Sequence, residues 1–96
     1  MSQPLKPLDR DWHVKALIFV AAFRKQHGVG PTWRELADVM GWDVSDQQGL
    51  RIKMSKLGAR GLIWPRAHRS LDVTPEGLAH LLAELGRRRQ EKVVAG

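Results

Sequence analysis

The ten residues from Thr32 to Gly41, TWRELADVMG, constrain this chain more than any other stretch, because they spell a helix that cannot stand alone. Thr32 and Glu35 have capping-box spacing, in which the hydroxyl accepts from the Glu35 amide and the carboxylate from the Thr32 amide. Pro31 and Leu36 occupy the positions of a hydrophobic staple. Leu36, Ala37 and Met40 recur at helical spacing, and Gly41 supplies the left-handed residue that closes the last turn. Isolated helices below about 12 residues are marginal in water, so this one has to be braced by its neighbours.

The neighbours are legible in the same terms. Asp9 or Asp11 is placed to cap a first helix that runs to about Gln26 and stops at Gly28. Ala16, Leu17, Val20, Ala21 and Phe23 form its apolar stripe, while Lys15, Arg24, Lys25 and Gln26 lie on the wet side. After the turn WDVSDQQ, Ser45 and Gln48 again have capping-box spacing, opening a third helix to about Arg60 with Leu50, Met54 and Leu57 inward. Gly49 and Gly58 each weaken it by roughly 1 kcal/mol relative to alanine.

From Gly61 the period changes. LIWPR and SLDVT are short β-prone runs around AHR and predict a hairpin, with Pro65 confining its strand to an edge or a bulge. Thr74-Pro75-Glu76 opens a fourth helix carrying Leu78, Leu81, Leu82 and Leu85. Residues 1–8 hold two prolines and no periodicity, predicting a flexible arm, and residues 87–96 a basic frayed tail, which leaves 9–86 as one folded domain. The predicted class is mainly α with a small β-hairpin (α+β), in the order helix-helix-helix-hairpin-helix. Those are the parts of a winged helix-turn-helix.

Composition removes several alternatives. Ninety-six residues without cysteine offer neither a disulfide framework nor a thiolate metal site, which suits a reducing cytoplasm. His13, His27, His68 and His80 are too scattered for a metal cluster. No glycine-rich phosphate loop follows a strand, and no Ser-His-acid or paired-carboxylate pattern is present, so neither an enzyme nor a cofactor is expected. The run ALIFVAAF is preceded by Asp9 and Asp11 and is too short to span a bilayer, so it reads as helix core rather than an export signal.

Charge is the feature that points to a partner. The formal net charge is +6, and the six cations Arg51, Lys53, Lys56, Arg60, Arg66 and Arg69 fall between Gln47 and Leu71 with no acid among them. Elsewhere ten cations balance ten acids. The excess thus lies on the third helix and the hairpin, where it would gain affinity for a duplex by releasing counterions from phosphates. With Leu50, Met54 and Leu57 inward, Gln48, Ile52, Ser55 and Lys56 point away and Arg51 lies on the flank. Glutamine can read adenine, arginine guanine, and isoleucine a thymine methyl.

Each of these residues has a second reading. Gln48 could instead close its capping box, Arg51 could meet a phosphate, and Ile52 could pack on a partner subunit. Gly49 either admits the backbone close to the groove or is simply tolerated. The DNA-facing set therefore comprises Ser45, Asp46, Gln47, Gln48, Gly49, Arg51, Ile52, Ser55 and Lys56 on the third helix and its start. Arg66, His68 and Arg69 at the hairpin tip would lie on phosphate or in a minor groove. Thr32, Trp33 and Arg34 at the start of the second helix would lie on the backbone. Of the tryptophans, Trp42 is expected to plug the turn. Leu78, Leu81, Leu82 and Leu85, with Phe19, could cover either the first helix or a second copy of the chain, and the surplus apolar face of the first helix favours a homodimer.

HGVGPTWRELADVMGW followed by KLGARGLI resembles the amino-terminal DNA-binding domain of LexA-type repressors, over roughly residues 10–72. LDVTPEGLAHLL is similar to the end of the wing and the following helix of MarR-type regulators. The resemblance implies a winged helix-turn-helix repressor of the cytoplasmic nucleoid, with base contacts near Asp46, Gln48, Gly49, Arg51 and Ile52. SDQQGLRI replaces the LexA recognition sequence, so a LexA operator is not implied, and there is no room for that family's self-cleaving protease domain. A winged-helix docking module and a nonspecific DNA-binding protein are the alternatives.

Overall fold

The computed structural model describes residues 5–63 and 70–95, with side chains through residue 90. Its elements are α1 (Asp11–His27), α2 (Trp33–Met40), α3 (Gln47–Gly58), β1 (Leu62–Ile63), β2 (Asp72–Val73) and α4 (Pro75–Ala95). The molecule is mainly helical with one small antiparallel hairpin, in which Leu62 pairs with Val73 and Ile63 with Asp72. Among the described residues no helix is long and apolar enough to cross a membrane.

Local signals set most of the boundaries. Thr32 Oγ1 accepts from the Glu35 amide at 3.1 Å and Glu35 Oε1 from the Thr32 amide at 3.0 Å, closing the capping box of α2. Gly41, at φ 73°, ends α2 in the left-handed region. At α4 the Thr74 hydroxyl accepts from the Gly77 amide at 2.9 Å, with Pro75 in the first turn. At α1 the residue before the helix is Arg10, with no side-chain cap, so neither Asp9 nor Asp11 caps it.

Leu17, Leu36, Leu57 and Leu71 are fully buried, and Val14, Val20, Met54, Leu62 and Leu81 complete the centre of the core. Removing any one of the four central leucines to alanine is expected to cost about 2–5 kcal/mol. The stripe of α3 is confirmed, with Leu50, Met54 and Leu57 all buried. The connector 28–32 is tied to the hairpin, since the Gly30 amide donates to Ser70 Oγ at 2.9 Å and the Leu71 amide to the Pro31 carbonyl at 2.8 Å. Gly61 and Gly77 meet where α4 leaves the hairpin. A Cβ on Gly61 would lie 2.5 Å from the Gly77 Cα, and one on Gly77 would lie 2.9 Å from the Gly61 Cα. Only two glycines allow this approach, and Gly61 also sits at φ 102°.

Three readings of the sequence are corrected here. Residues 5–8 are not free: Leu8 is buried in the core, and the Lys6 amide donates to the Ala59 carbonyl at 3.2 Å. The chain beyond residue 86, expected as a frayed tail, continues α4 to Ala95. Arg88 reaches Asp11 at 3.0 Å and Glu84 at 3.0 Å, fastening that half of α4 to the start of α1. Hydrogen bonds from Arg87 and then Arg88 hold the Glu84 carboxyl down to about 2.

The leucine stripe of α4, third, divides between two surroundings. Leu81 is buried in the chain's own core, so it is no part of an intersubunit surface; Leu85 and Phe19 pack partly buried against that core. Leu78 and Leu82 remain 40% and 60% exposed.

Candidate nucleic-acid interface

Burying Leu50, Met54 and Leu57 leaves the opposite side of α3 open. Gln47, Gln48, Arg51, Ile52, Ser55 and Lys56 are all exposed, Ile52 by 50%. The face thus offers amide, guanidinium, ammonium, hydroxyl and aliphatic groups side by side. It carries no carboxylate between Gln47 and Gly58. Trp33, at the start of α2, joins Gln47, Leu50, Arg51 and Met54 around a cleft of about 220 Å³. The two helices of the turn therefore bring one residue predicted for backbone contact next to two predicted on α3. Arg34 is exposed with its guanidinium 5.2 Å from the Trp33 ring centre, and Thr32 is engaged in its capping box.

The start of α3 differs from the sequence reading. Its cap is Asp46, whose Oδ1 accepts from the Gly49 amide at 3.0 Å. Ser45 is drawn aside by Asp43, whose Oδ1 accepts from the Ser45 hydroxyl at 2.7 Å and amide at 2.9 Å. These bonds hold the Asp43 carboxyl below the usual carboxylate range, the hydroxyl contributing most. Gln48 therefore closes no capping box, which leaves its amide exposed. Gly49 also acquires a local reason, because a Cβ there would lie 2.3 Å from Asp46 Oδ2. Of the DNA-facing set, Asp46 and Gly49 are thereby occupied in building the start of the helix, and Ser45 in the turn before it.

The basic excess also rearranges. Arg60 is only 9% exposed, not part of an outward basic face. Its Nε donates to the Pro7 carbonyl at 3.1 Å and its Nη1 to the Lys56 carbonyl at 2.6 Å. Lys53 is half-buried, with its ammonium 5.7 Å from the Trp42 ring centre. Trp42 packs partly buried on the core and meets Trp12 edge-on at 5.7 Å, so it does plug the turn. Arg66, His68 and Arg69 lie outside the described residues.

What the sequence missed lies beside the far end of α3. Lys6, Asp9, Arg10, Trp12 and His13 face Ser55, Lys56, Ala59 and Arg60 across a cleft of about 520 Å³. His13 is 2% exposed, and its Nδ1 lies 3.3 Å from Asp9 Oδ1. That approach is not aligned as a hydrogen bond, and neither ring nitrogen has a hydrogen-bond partner among the described residues. Burial, and next the Arg60 charge, push the imidazole below its ordinary value, which keeps it neutral at pH 7. The run PLKPLDR carried no periodicity to signal any of this.

Among the described residues no group of three metal-ligating side chains comes together. Compared with known protein families, with characterised proteins and with solved structures, the chain matches none of them.

Proposed function

We propose that the chain is a winged helix-turn-helix protein that binds double-stranded DNA and regulates transcription, most simply as a repressor, by occupying an operator. The observation that carries this reading is the exposed face of α3, with Gln48, Arg51, Ile52, Ser55 and Lys56 together and free of carboxylates. In the proposal α3 enters the major groove, Gln48 and Arg51 read base edges, and Ile52 meets a thymine methyl. Trp33 and Arg34 approach the backbone from the start of α2, and the hairpin flanks the site. The sequence resemblance to LexA-type repressors supports the same orientation.

Binding-site selection from a random duplex pool tests the proposal. Recovery of a defined motif is the expected result. Enrichment of no motif, with equal affinity for all duplexes, points instead to a nonspecific DNA-binding protein, and the absence of any duplex binding points to a protein-docking module.

The exposure of Leu78 and Leu82, one helical turn apart on α4, favours a homodimer through that strip, with the two copies reading a palindrome. Sedimentation equilibrium at micromolar concentration, on the parent and on Leu82→Glu, tests this. A dimer lost in the variant supports it, and a monomeric parent contradicts it.

A further inference from the structure

The cleft between the amino-terminal segment and α3 gathers cations from three parts of the chain. Lys6 and Arg10 come from the segment before α1, Lys56 from the exposed side of α3, and Arg60 from just beyond its end. Asp9 is the one carboxylate among the lining residues, and it lies 3.7 Å from Arg60 and 3.3 Å from His13. The Lys6, Arg10 and Lys56 side chains are exposed and make no ion pair among the described residues.

Their placement is fixed rather than incidental. The Lys6 amide donates to the Ala59 carbonyl, Arg60 donates to the Pro7 carbonyl, and Leu8 is buried in the core. Lys6 and Arg10 therefore flank anchored backbone beside α3, instead of trailing from a free terminus. α1 begins at this cleft with no side-chain cap, and the one acid of its first turn, Asp11, is paired with Arg88. The His13 ring, neutral and buried, forms part of the wall.

We propose that this cleft is a phosphate-binding site, and that the phosphate it takes is a backbone phosphate of the duplex approached by the exposed face of α3. The inference rests on the DNA-binding reading and extends it: Lys6 and Arg10 become contacts that add affinity without reading sequence, since phosphate contacts position a protein while base contacts specify. Ser55 and Lys56 lie on both the exposed face of α3 and the lining of the cleft, which makes the two surfaces continuous. The footprint on the duplex is thereby longer than α3 alone provides.

The test compares the full chain with Lys6→Gln/Arg10→Gln, and with Lys25→Gln as a control for charge lost at the other end of α1. Duplex affinity is measured across salt on a selected and on a scrambled duplex. The double variant should weaken binding to both duplexes alike and reduce the slope of log K against log salt by about 0.9 per lost phosphate contact, so by one to two units. Lys25→Gln should keep the parent's slope. The substituted side chains are exposed, so circular dichroism should match the parent.

Equal slopes in parent and double variant would overturn the inference while leaving the DNA-binding reading intact. A parent that binds no duplex would overturn both. Titration with inorganic phosphate at constant ionic strength separates the remaining case. A double variant that loses saturable phosphate binding yet keeps the parent's duplex affinity would assign the cleft to a free phosphorylated ligand, against the proposal.

Discussion

The Nε of Arg60 donates to the carbonyl of Pro7 at 3.1 Å across 53 positions of sequence, and this bond joins the segment before α1 to the residues just beyond α3. The same guanidinium donates to the Lys56 carbonyl, so one buried cation satisfies two backbone acceptors. Arg60→Met keeps much of the volume but leaves both carbonyls without this donor. It is expected to destabilise the fold by about 2–3 kcal/mol, the scale of hydrogen bonds from a charged group. Thermal denaturation measures this, and a change below about 0.5 kcal/mol would contradict the role, being the scale of an ordinary surface substitution.

Capping and recognition separate cleanly at the start of α3. Asp46→Ala removes the side chain that holds the Gly49 amide and should cost about 1 kcal/mol of stability. Gln48→Ala should leave stability unchanged and instead relax base preference at one or two positions, by about 1–3 kcal/mol for a lost bidentate contact. If Gln48→Ala destabilises the fold and preserves the preference, the assignment of Asp46 as the cap is wrong.

Two glycines of α4 should respond with opposite signs. A Cβ at Gly86 meets nothing within 4 Å, so Gly86→Ala gains helix propensity and should stabilise by about 1 kcal/mol. Gly77→Ala drives its Cβ against the Gly61 backbone and should destabilise by about 1–3 kcal/mol, as overpacking does. Chemical denaturation of the two variants checks the pair, and equal effects would refute the close approach of α4 to Gly61.

His13 gives the fold a pH dependence with a definite sign. Its imidazole is held below the ordinary 6.5 by burial first and Arg60 second; Arg10 and Lys56 act in the same direction, and Asp9 opposes them. The folded state therefore takes up this proton at lower pH than the unfolded chain. The associated stability is present above about 6.5 and is lost as the pH falls through the folded value. An NMR titration should place the His13 midpoint below 6.5. A midpoint above it would mean that the Asp9 charge outweighs burial.

The accuracy of the sequence reading follows the range of the interactions involved. The capping box of α2, the proline start of α4 and the stops at Gly28 and Gly41 depend on groups a few positions apart, and they are present as read. At the start of α3, Ser45 and Asp46 both have capping chemistry, so local spacing alone does not choose between them. Asp43 decides between them by capturing Ser45, and the missing Cβ of Gly49 makes room for Asp46.

Arg60 looked like one more outward cation because its partner at Pro7 lies beyond any local window. The leucines of α4 share one stripe, yet Leu81 is buried in the core and Leu82 is exposed, a division set by tertiary packing rather than by helical period. On the candidate face, helical period alone placed Gln48, Ile52, Ser55 and Lys56 outward. The contribution of Lys6 and Arg10 had no periodic signal to reveal it.

The central claim is that the exposed face of α3 binds a DNA duplex, and the salt dependence of duplex affinity for the parent chain against Arg51→Ala tests it most directly. Fluorescence anisotropy on a selected duplex should give a straight fall of log K with log salt, of about 0.9 per phosphate engaged. Arg51→Ala should lower the affinity at every salt concentration, by about 1–3 kcal/mol if Arg51 reads a base and with a shallower slope if it meets a phosphate. An Arg51→Ala chain that binds the same duplex with the parent's affinity and slope throughout would contradict the placement of α3 against DNA.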